Sequence, residues 1–497
     1  MPIADSALDH EVVVVGAGFS GIGAAIALDR AGFSDFVVLE EAGGVGGAWH
    51  WNTYPGIAVD IPSFSYQFSF EKRSDWSRVY APGRELKAYA EHCVDKYGVR
   101  DRIRLGTKVV GARFDEDGNA WQLDTAAGEH LTARFVVSAT GVFSQPKAPQ
   151  IAGVETFSGP TMHTSRWDHS VQLRGKRVAI IGTGASAIQV ISAIAPEVER
   201  LTVFQRTPIW CLPKYDAPLS RRQRAVLRWV PGAKLATRWA SQAFVELTFV
   251  LAAHFAGTFP GLRARGEAAA RKLLSEVQDP DVRDKLTPRY SLGCKRPSFS
   301  NEYIATFNRA NVLLETATIE AITPTGVRTV EGVEHPIDVL VLATGFKVLE
   351  AGNMPPFEMR GVGGVNLEQW WDENRLQAYE GVSVPGFPNW FSILGPYAFN
   401  GQSYFGLIET QMRHIVRCLQ RARSDGATRV EITPEANRRY FESVLARRHN
   451  QIFFLGSCAT ANSYYFDKHG DAPFRPSLTL EAAWRSARFD LGDYAFA

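Results

Sequence analysis

The chain has 497 residues, enough for roughly three domains of about 150 residues and too many for a single core. Its 54 Lys+Arg against 52 Asp+Glu leave a formal net charge of +2, which gives no electrostatic footprint for a nucleic-acid partner. Hydrophobic residues at 45% and charged residues at 21% exclude an acidic disordered chain, and 43 glycines direct attention to tight backbone turns.

Met1 to Glu11 has neither a basic n-region nor an apolar h-region, so no signal peptide is expected. Glu11–Val15 predicts a buried strand. Gly16, Gly18 and Gly21 then complete GxGxxG before the helix-favouring run Ile22–Arg30, and Asp35–Glu40 predicts a second strand. In such a unit the first glycine makes the turn, the second admits a pyrophosphate and the third lets helix pack on strand, with the helix N-terminus facing the phosphates. Lys108–Thr125 and Glu129–Ser138 predict strands around an Asp117-Gly118 turn, ending in Ala139-Thr140-Gly141.

A second unit follows. Lys176–Ile181 predicts a strand, Gly182, Thr183, Gly184 and Ala187 lie in GxGxxA, and Leu201–Phe204 is the next strand. Glu40 and Arg206 each stand 24 residues beyond the first glycine of their loop. A carboxylate there accepts hydrogen bonds from a ribose 2′-hydroxyl, whereas an arginine holds a 2′-phosphate. The first loop therefore suits FAD and the second NADPH.

Pro208–Pro288 breaks the alternation with an Arg-, Ala- and Leu-rich section interrupted at Pro231-Gly232 and Pro260-Gly261, and predicts an inserted helical subdomain. Its apolar stretch Ala243–Phe259 contains Glu246 and His254 and falls short of the roughly 20 residues of a spanning helix. With Arg221, Arg222, Arg224 and Arg228 upstream, the section reads either as a subdomain burying its own apolar face or as a weakly lipid-associated surface segment. Val339–Gly345 predicts a strand ending in a second Ala-Thr-Gly, Ala343-Thr344-Gly345, and chain crossings between domains are expected near Pro146 and Phe346. Beyond Gly361 aromatics and turn formers dominate. The five cysteines are odd in number and form no CxxC pair, so neither a disulfide framework nor a metal site is expected, and a reducing, cytoplasmic compartment fits.

Three segments carry a resemblance. Phe157, Gly159, His163 and Trp167 match FxGxxxHxxxW, followed by Asp168. Gly46 to Asp60 matches [AG]GxWxxxx[FY]P[GM]xxxD, and Gly293-Cys294-Lys295-Arg296-Pro297 is the third. Together, from the first glycine loop to Ser463-Tyr464-Tyr465, they resemble the type I Baeyer-Villiger monooxygenases. Related N- and S-oxygenating flavoproteins usually carry Phe or Tyr where Trp167 stands.

The resemblance implies an α/β fold of two Rossmann-type dinucleotide-binding domains (FAD and NADP) with the helical insertion. It implies FAD-binding parts at 1–146 and 346–497, NADP-binding parts at 147–207 and 290–345, and the insertion at 208–289. The activity it implies is NADPH- and O2-dependent insertion of oxygen beside a ketone carbonyl, giving an ester or lactone through a C4a-peroxyflavin. Arg296, permanently protonated, suits stabilisation of developing negative charge on oxygen, and Asp60 would hold it in place. Gly47, Ala48, Trp49, His50, Tyr66, Val109 and Tyr404 are implied to meet FAD. Thr183, Arg206, Thr207 and Lys295 are implied to meet NADP. By themselves Trp49 reads as packing, Asp60 with Arg296 as an ordinary ion pair, and His163 as a hydrogen-bonded structural histidine. Tyr464 departs from the family's usual Trp, and Ile57 and Val59 replace its usual Ala and Cys. Sulfide or amine oxygenation, and an uncoupled flavin reductase, share the same cofactor loops. Neither the particular ketone nor the oligomeric state is readable.

Overall fold

The computed structural model describes residues 8–350, 352–456, 458, 461 and 463–497. The leader reading at Met1 to Glu11 therefore falls, for residues 1–7, outside the described residues.

Strand β1, His10–Val15, is buried from Val12 onward. It lies between two parallel neighbours, Phe36–Leu39 and His130–Ser138, which explains an unbroken valine run in place of alternation. Ile103–Arg104 extends the sheet beyond Phe36–Leu39. On the other side His130–Ser138 turns antiparallel into Ala120–Thr125 and Val109–Asp115, with Glu358–Arg360 at the edge. Residues 136–138 also pair with Trp390–Ser392, so the C-terminal part of the chain returns to the first sheet. The 22-residue helix Tyr404–Asp425 packs there against Phe19–Arg30.

The second sheet is parallel throughout, ordered Val312–Glu315, Arg200–Phe204, Arg177–Ile181, Val339–Leu342, Thr161–His163. In both sheets the glycine loop leaves the carboxyl end of a central strand, where open α/β sheets bind ligands. The chain passes between the sheets twice, and the two passages lie side by side: Lys147 N–H donates to the Gly345 carbonyl (2.9 Å) and Lys347 N–H to that of Gln145 (3.0 Å).

The section from Pro208 to Pro288 holds the helices Arg221–Trp229, Ala233–Val245, Pro260–Leu274 and Pro280–Leu286, with a π turn at Glu246–Leu251. It is not wholly helical. Cys211–Leu212 pairs in parallel with Ser298–Phe299 and closes its base. Pro260 begins a helix rather than interrupting one, because proline's missing N–H costs nothing at the first helical position. Among the described residues no helix is long and apolar enough to cross a membrane.

The cysteine expectation needs correction, since Cys294 and Cys458 form a disulfide. They are 164 residues apart, so chain spacing gave no sign of the pair, but the fold brings their Cα atoms to 5.1 Å, a distance suited to bridging. Cys93, Cys211 and Cys418 are buried free thiols.

Candidate active site

Both glycine loops open on one cavity of about 1970 Å³, well beyond the ~300–1,000 Å³ of a typical single-ligand site. Gly16, Gly18, Glu40, Gly47, Ala48, Trp49, Asp60, Tyr66, Val109 and Tyr404 line it from the first sheet's side. Gly182, Thr183, Gly184, Arg206, Thr207, Lys295, Arg296 and Tyr464 complete the wall.

The first glycine of each loop excludes a side chain. Gly16 has φ +104° and a Cβ there would lie 2.7 Å from the Ala139 carbonyl oxygen; Gly182 has φ +113° and a Cβ would lie 2.4 Å from that of Ala343. Both need glycine. Gly21 and Ala187 lie outside the cavity and set helix-to-loop packing. A Cβ on Gly21 would lie 1.8 Å from the Gly16 carbonyl oxygen, whereas Ala187 carries its methyl in the core of the second sheet.

Glu40 is buried beneath the first loop, accepting from the N–H groups of Ala17 (2.6 Å) and Ala42 (2.9 Å). Burial raises its pKa and the two N–H groups oppose that rise. Trp49 Nε1 donates to the Tyr66 hydroxyl (3.1 Å), and the Tyr404 hydroxyl pairs with Ser20 Oγ (2.6 Å). These bonds fix three aromatic walls. His50 stands apart: it does not line the cavity, and its buried Nδ1 has no hydrogen-bond partner among the described residues. Burial and Lys87 lower its pKa.

On the second loop Thr183 Oγ1 donates to the Thr207 carbonyl (3.2 Å), tying the loop to the end of Arg200–Phe204. Arg206 is exposed, and neither it nor Lys295 meets a carboxylate among the described residues. Burial and the nearby Arg206 depress the Lys295 ammonium to about 8. Two neighbouring cations without an anion, beside a glycine loop with open space over Gly184, suit a phosphate group.

Arg296 donates to the carboxylate of Asp60, joining segments 236 residues apart. Asp60 raises the guanidinium's pKa further, against burial, so the cation persists at every working pH. The Asp60 loop is held by Gln189, whose side chain donates to the Ala58 carbonyl (3.0 Å) and accepts from the Tyr54 hydroxyl (3.2 Å). Tyr464 and Tyr465, rings 5.0 Å apart, stand beside Arg296. Burial raises the Tyr464 pKa and Arg296 draws it back. Gln189 carries no motif signal because its role is set by contacts across the fold, and Tyr465, which lies in the Ser463-Tyr464-Tyr465 segment, gains its place beside Arg296 only there. Phe157, Gly159, His163 and Trp167 lie away from the cavity. A Cβ on Gly159 would lie 2.5 Å from the Asp338 carbonyl oxygen, Phe157 and Trp167 pack against the second sheet, and His163 stands edge-on to Phe346 at the chain crossing.

Residues 13–221 match the family model described as pyridine nucleotide-disulphide oxidoreductase. Over 490 residues the chain is 37% identical to a Baeyer-Villiger monooxygenase of Streptomyces coelicolor, covering 97% of this chain and 92% of that one. The chain belongs to the Baeyer-Villiger monooxygenases. This monooxygenase superposes on a crystal structure of OTEMO in complex with FAD and NADP with a TM-score of 0.87 at 28% identity, covering 99% of this chain and 100% of that one. A crystal structure of oxidized steroid monooxygenase bound to NADP gives a TM-score of 0.87 at 30% identity, covering 98% and 99%. The α/β fold of two Rossmann-type units is thus shared with solved members of the family.

Proposed function

We propose that this Baeyer-Villiger monooxygenase holds FAD on the Gly16 loop and NADPH on the Gly182 loop, and inserts one atom of O2 beside the carbonyl of an apolar ketone. The observation that carries the reading is the Asp60–Arg296 pair in the wall of a cavity shared by both loops. When bound, FAD supplies hydride acceptance and oxygen activation. The chain's residues do the rest.

Glu40 accepts from the ribose of FAD with the lone pairs its two N–H donors leave free, and Gly47, Ala48, Trp49, Tyr66, Val109 and Tyr404 shape the pocket around it. Arg206 and Lys295, with Thr183 and Thr207, hold the 2′-phosphate of NADPH. Arg296 would supply fixed positive charge where oxygen becomes anionic beside the bound flavin. Asp60 orients that cation and cannot quench it by taking a proton, since arginine does not give one up. The paired crossings at Pro146 and Phe346 divide the FAD-binding parts from the NADP-binding parts, and the linker around His163 couples the two. The ketone lies toward the apolar sector formed by Phe249, Leu292, Phe399, Ile452, Phe453 and Phe474, which excludes water from the reacting centre.

The test is turnover under 18O2 with NADPH and a panel of cyclic, aryl and long-chain ketones beside a thioether and a tertiary amine. The expected result is an ester or lactone carrying one 18O per molecule. Exclusive sulfoxide or N-oxide formation, or NADPH consumed entirely to hydrogen peroxide, would overturn it.

A further inference from the structure

Among the described residues, about half of the large exposed apolar side chains fall in two short segments. Val226, Trp229, Val230, Leu235, Trp239 and Leu247 are exposed in the insertion, and Leu478, Leu480 and Trp484 are exposed in a C-terminal segment that meets it. Nine of the seventeen large exposed hydrophobics among the described residues lie in these two segments. Trp229 is 72% exposed, Trp239 60%, Leu480 73% and Trp484 60%. The segments are contiguous, since the Thr479 N–H donates to Glu246 Oε1 (3.0 Å) next to Leu247. Leu235, Trp239, Ala243 and Leu247 recur every fourth residue, so one stripe of the helix Ala233–Val245 and the π turn faces solvent. Scattered single hydrophobics are ordinary on a surface; a continuous stripe is a contact face.

Charge selects what it contacts. From Ala217 to Val245 the chain has no Asp or Glu, while Arg221, Arg222, Arg224, Arg228, Lys234 and Arg238 are its cations. Arg238 turns inward to the Gln67 carbonyl (2.8 Å). Arg221, Arg222, Arg224 and Arg228, on the capped helix Arg221–Trp229, meet no carboxylate among the described residues. The flanking acids are committed, Asp216 to Arg78 (2.9 Å) and Glu246 to the Thr479 N–H. A second copy seated on this face would set the same uncompensated arginines against each other in a two-fold contact. An anionic lipid surface meets both features, because headgroup phosphates pair with the arginines while the tryptophans and leucines enter the headgroup–acyl boundary.

We propose that the face formed by Arg221–Leu247 and Leu478–Trp484 docks this protein peripherally on anionic membranes. Its inner side is the cavity wall, as Thr248, Phe249, Ala252 and Ala253 line the cavity directly after Leu247. Docking therefore brings the cavity to the lipid without any spanning segment.

The test is flotation of the full-length protein with phosphatidylglycerol/phosphatidylcholine vesicles and with phosphatidylcholine vesicles alone. The protein is expected to float with the anionic vesicles only and to be released by 0.5 M NaCl. Replacing Arg221, Arg222, Arg224 and Arg228 together by Gln should lower partitioning by about a hundredfold or more, at roughly fivefold per arginine near the surface. Trp229→Ala with Trp239→Ala should lower it at least tenfold, with melting temperature and turnover of soluble ketones unchanged. Trp239→Ala alone serves if the double variant folds poorly. Failure to float with anionic vesicles, or flotation of the four-arginine variant like the parent, overturns the proposal. So does sedimentation showing a dimer that the Trp229 and Trp239 changes break while vesicles do not compete, which would assign the face to a second copy.

Discussion

The Gly16 and Gly182 loops leave parallel strands at the same kind of turn, each seated against the carbonyl of an alanine, Ala139 or Ala343. They part company just beyond the following strand, at Glu40 directly after Leu39 and at Arg206 two residues after Phe204, where Gln205 takes the place that matches Glu40. Glu40 is buried and locked by two backbone N–H groups, one of them from the loop itself. Arg206 is exposed, with Lys295 as its neighbour and no anion between them. The third loop position repeats the contrast, close-packed at Gly21 and relaxed enough for a methyl at Ala187. A preorganised, enclosed acceptor suits a ligand that stays, and an exposed arginine beside a half-buried lysine suits one that exchanges.

The contrast breaks most completely at Glu40. Glu40→Ala removes the acceptor and leaves the buried N–H groups of Ala17 and Ala42 unpaired, so the purified variant should lose most of its flavin absorbance per protein, while Arg206→Ala keeps its own. Arg206→Ala should instead lower the preference for NADPH over NADH by about 10- to 150-fold, matching ~1.5–3 kcal/mol for hydrogen bonds to a charged group, read as kcat/KM for each coenzyme. An unchanged ratio would remove the 2′-phosphate from this loop.

A smaller effect follows from Lys295, whose pKa is depressed to about 8. Its charge is present below that pH and is lost as pH rises through it. The KM for NADPH should therefore climb several-fold between pH 7.5 and 9.5 while that for NADH stays flat, and Lys295→Gln should abolish the climb. Smallest of all, Tyr464→Phe removes one hydroxyl beside Arg296 and should change ester yield per NADPH by only a few-fold, with flavin content intact.

Much of this was legible along the chain because it is local. A glycine turn, the helix it opens and the residue at the end of the next strand all fall within one βαβ unit, so the loops, Glu40 and Arg206 were readable together. Asp60 and Arg296 were readable only through motif resemblance, as nothing in their spacing brings them together. Long-range closure was not legible. The Cys294–Cys458 bridge, the return of Trp390–Ser392 to the first sheet, and the buried Glu380–Arg475 pair joined by the half-buried Arg485 each depend on where distant segments meet. His50 fell outside the cavity for a related reason: a motif fixes the order of residues, and the short helix Ala48–Trp51 turns adjacent side chains to different sides.

The role proposed for Arg296 between the two loops is tested directly by one measurement. Arg296→Ala and the parent are run with NADPH and an accepted ketone while NADPH, ester and hydrogen peroxide are quantified in the same reaction. Loss of a single charge-stabilising donor predicts ester formation down by about 10²- to 10³-fold, with NADPH oxidation still measurable and its electrons recovered as hydrogen peroxide. Ester formation at the parental ratio to NADPH would contradict it.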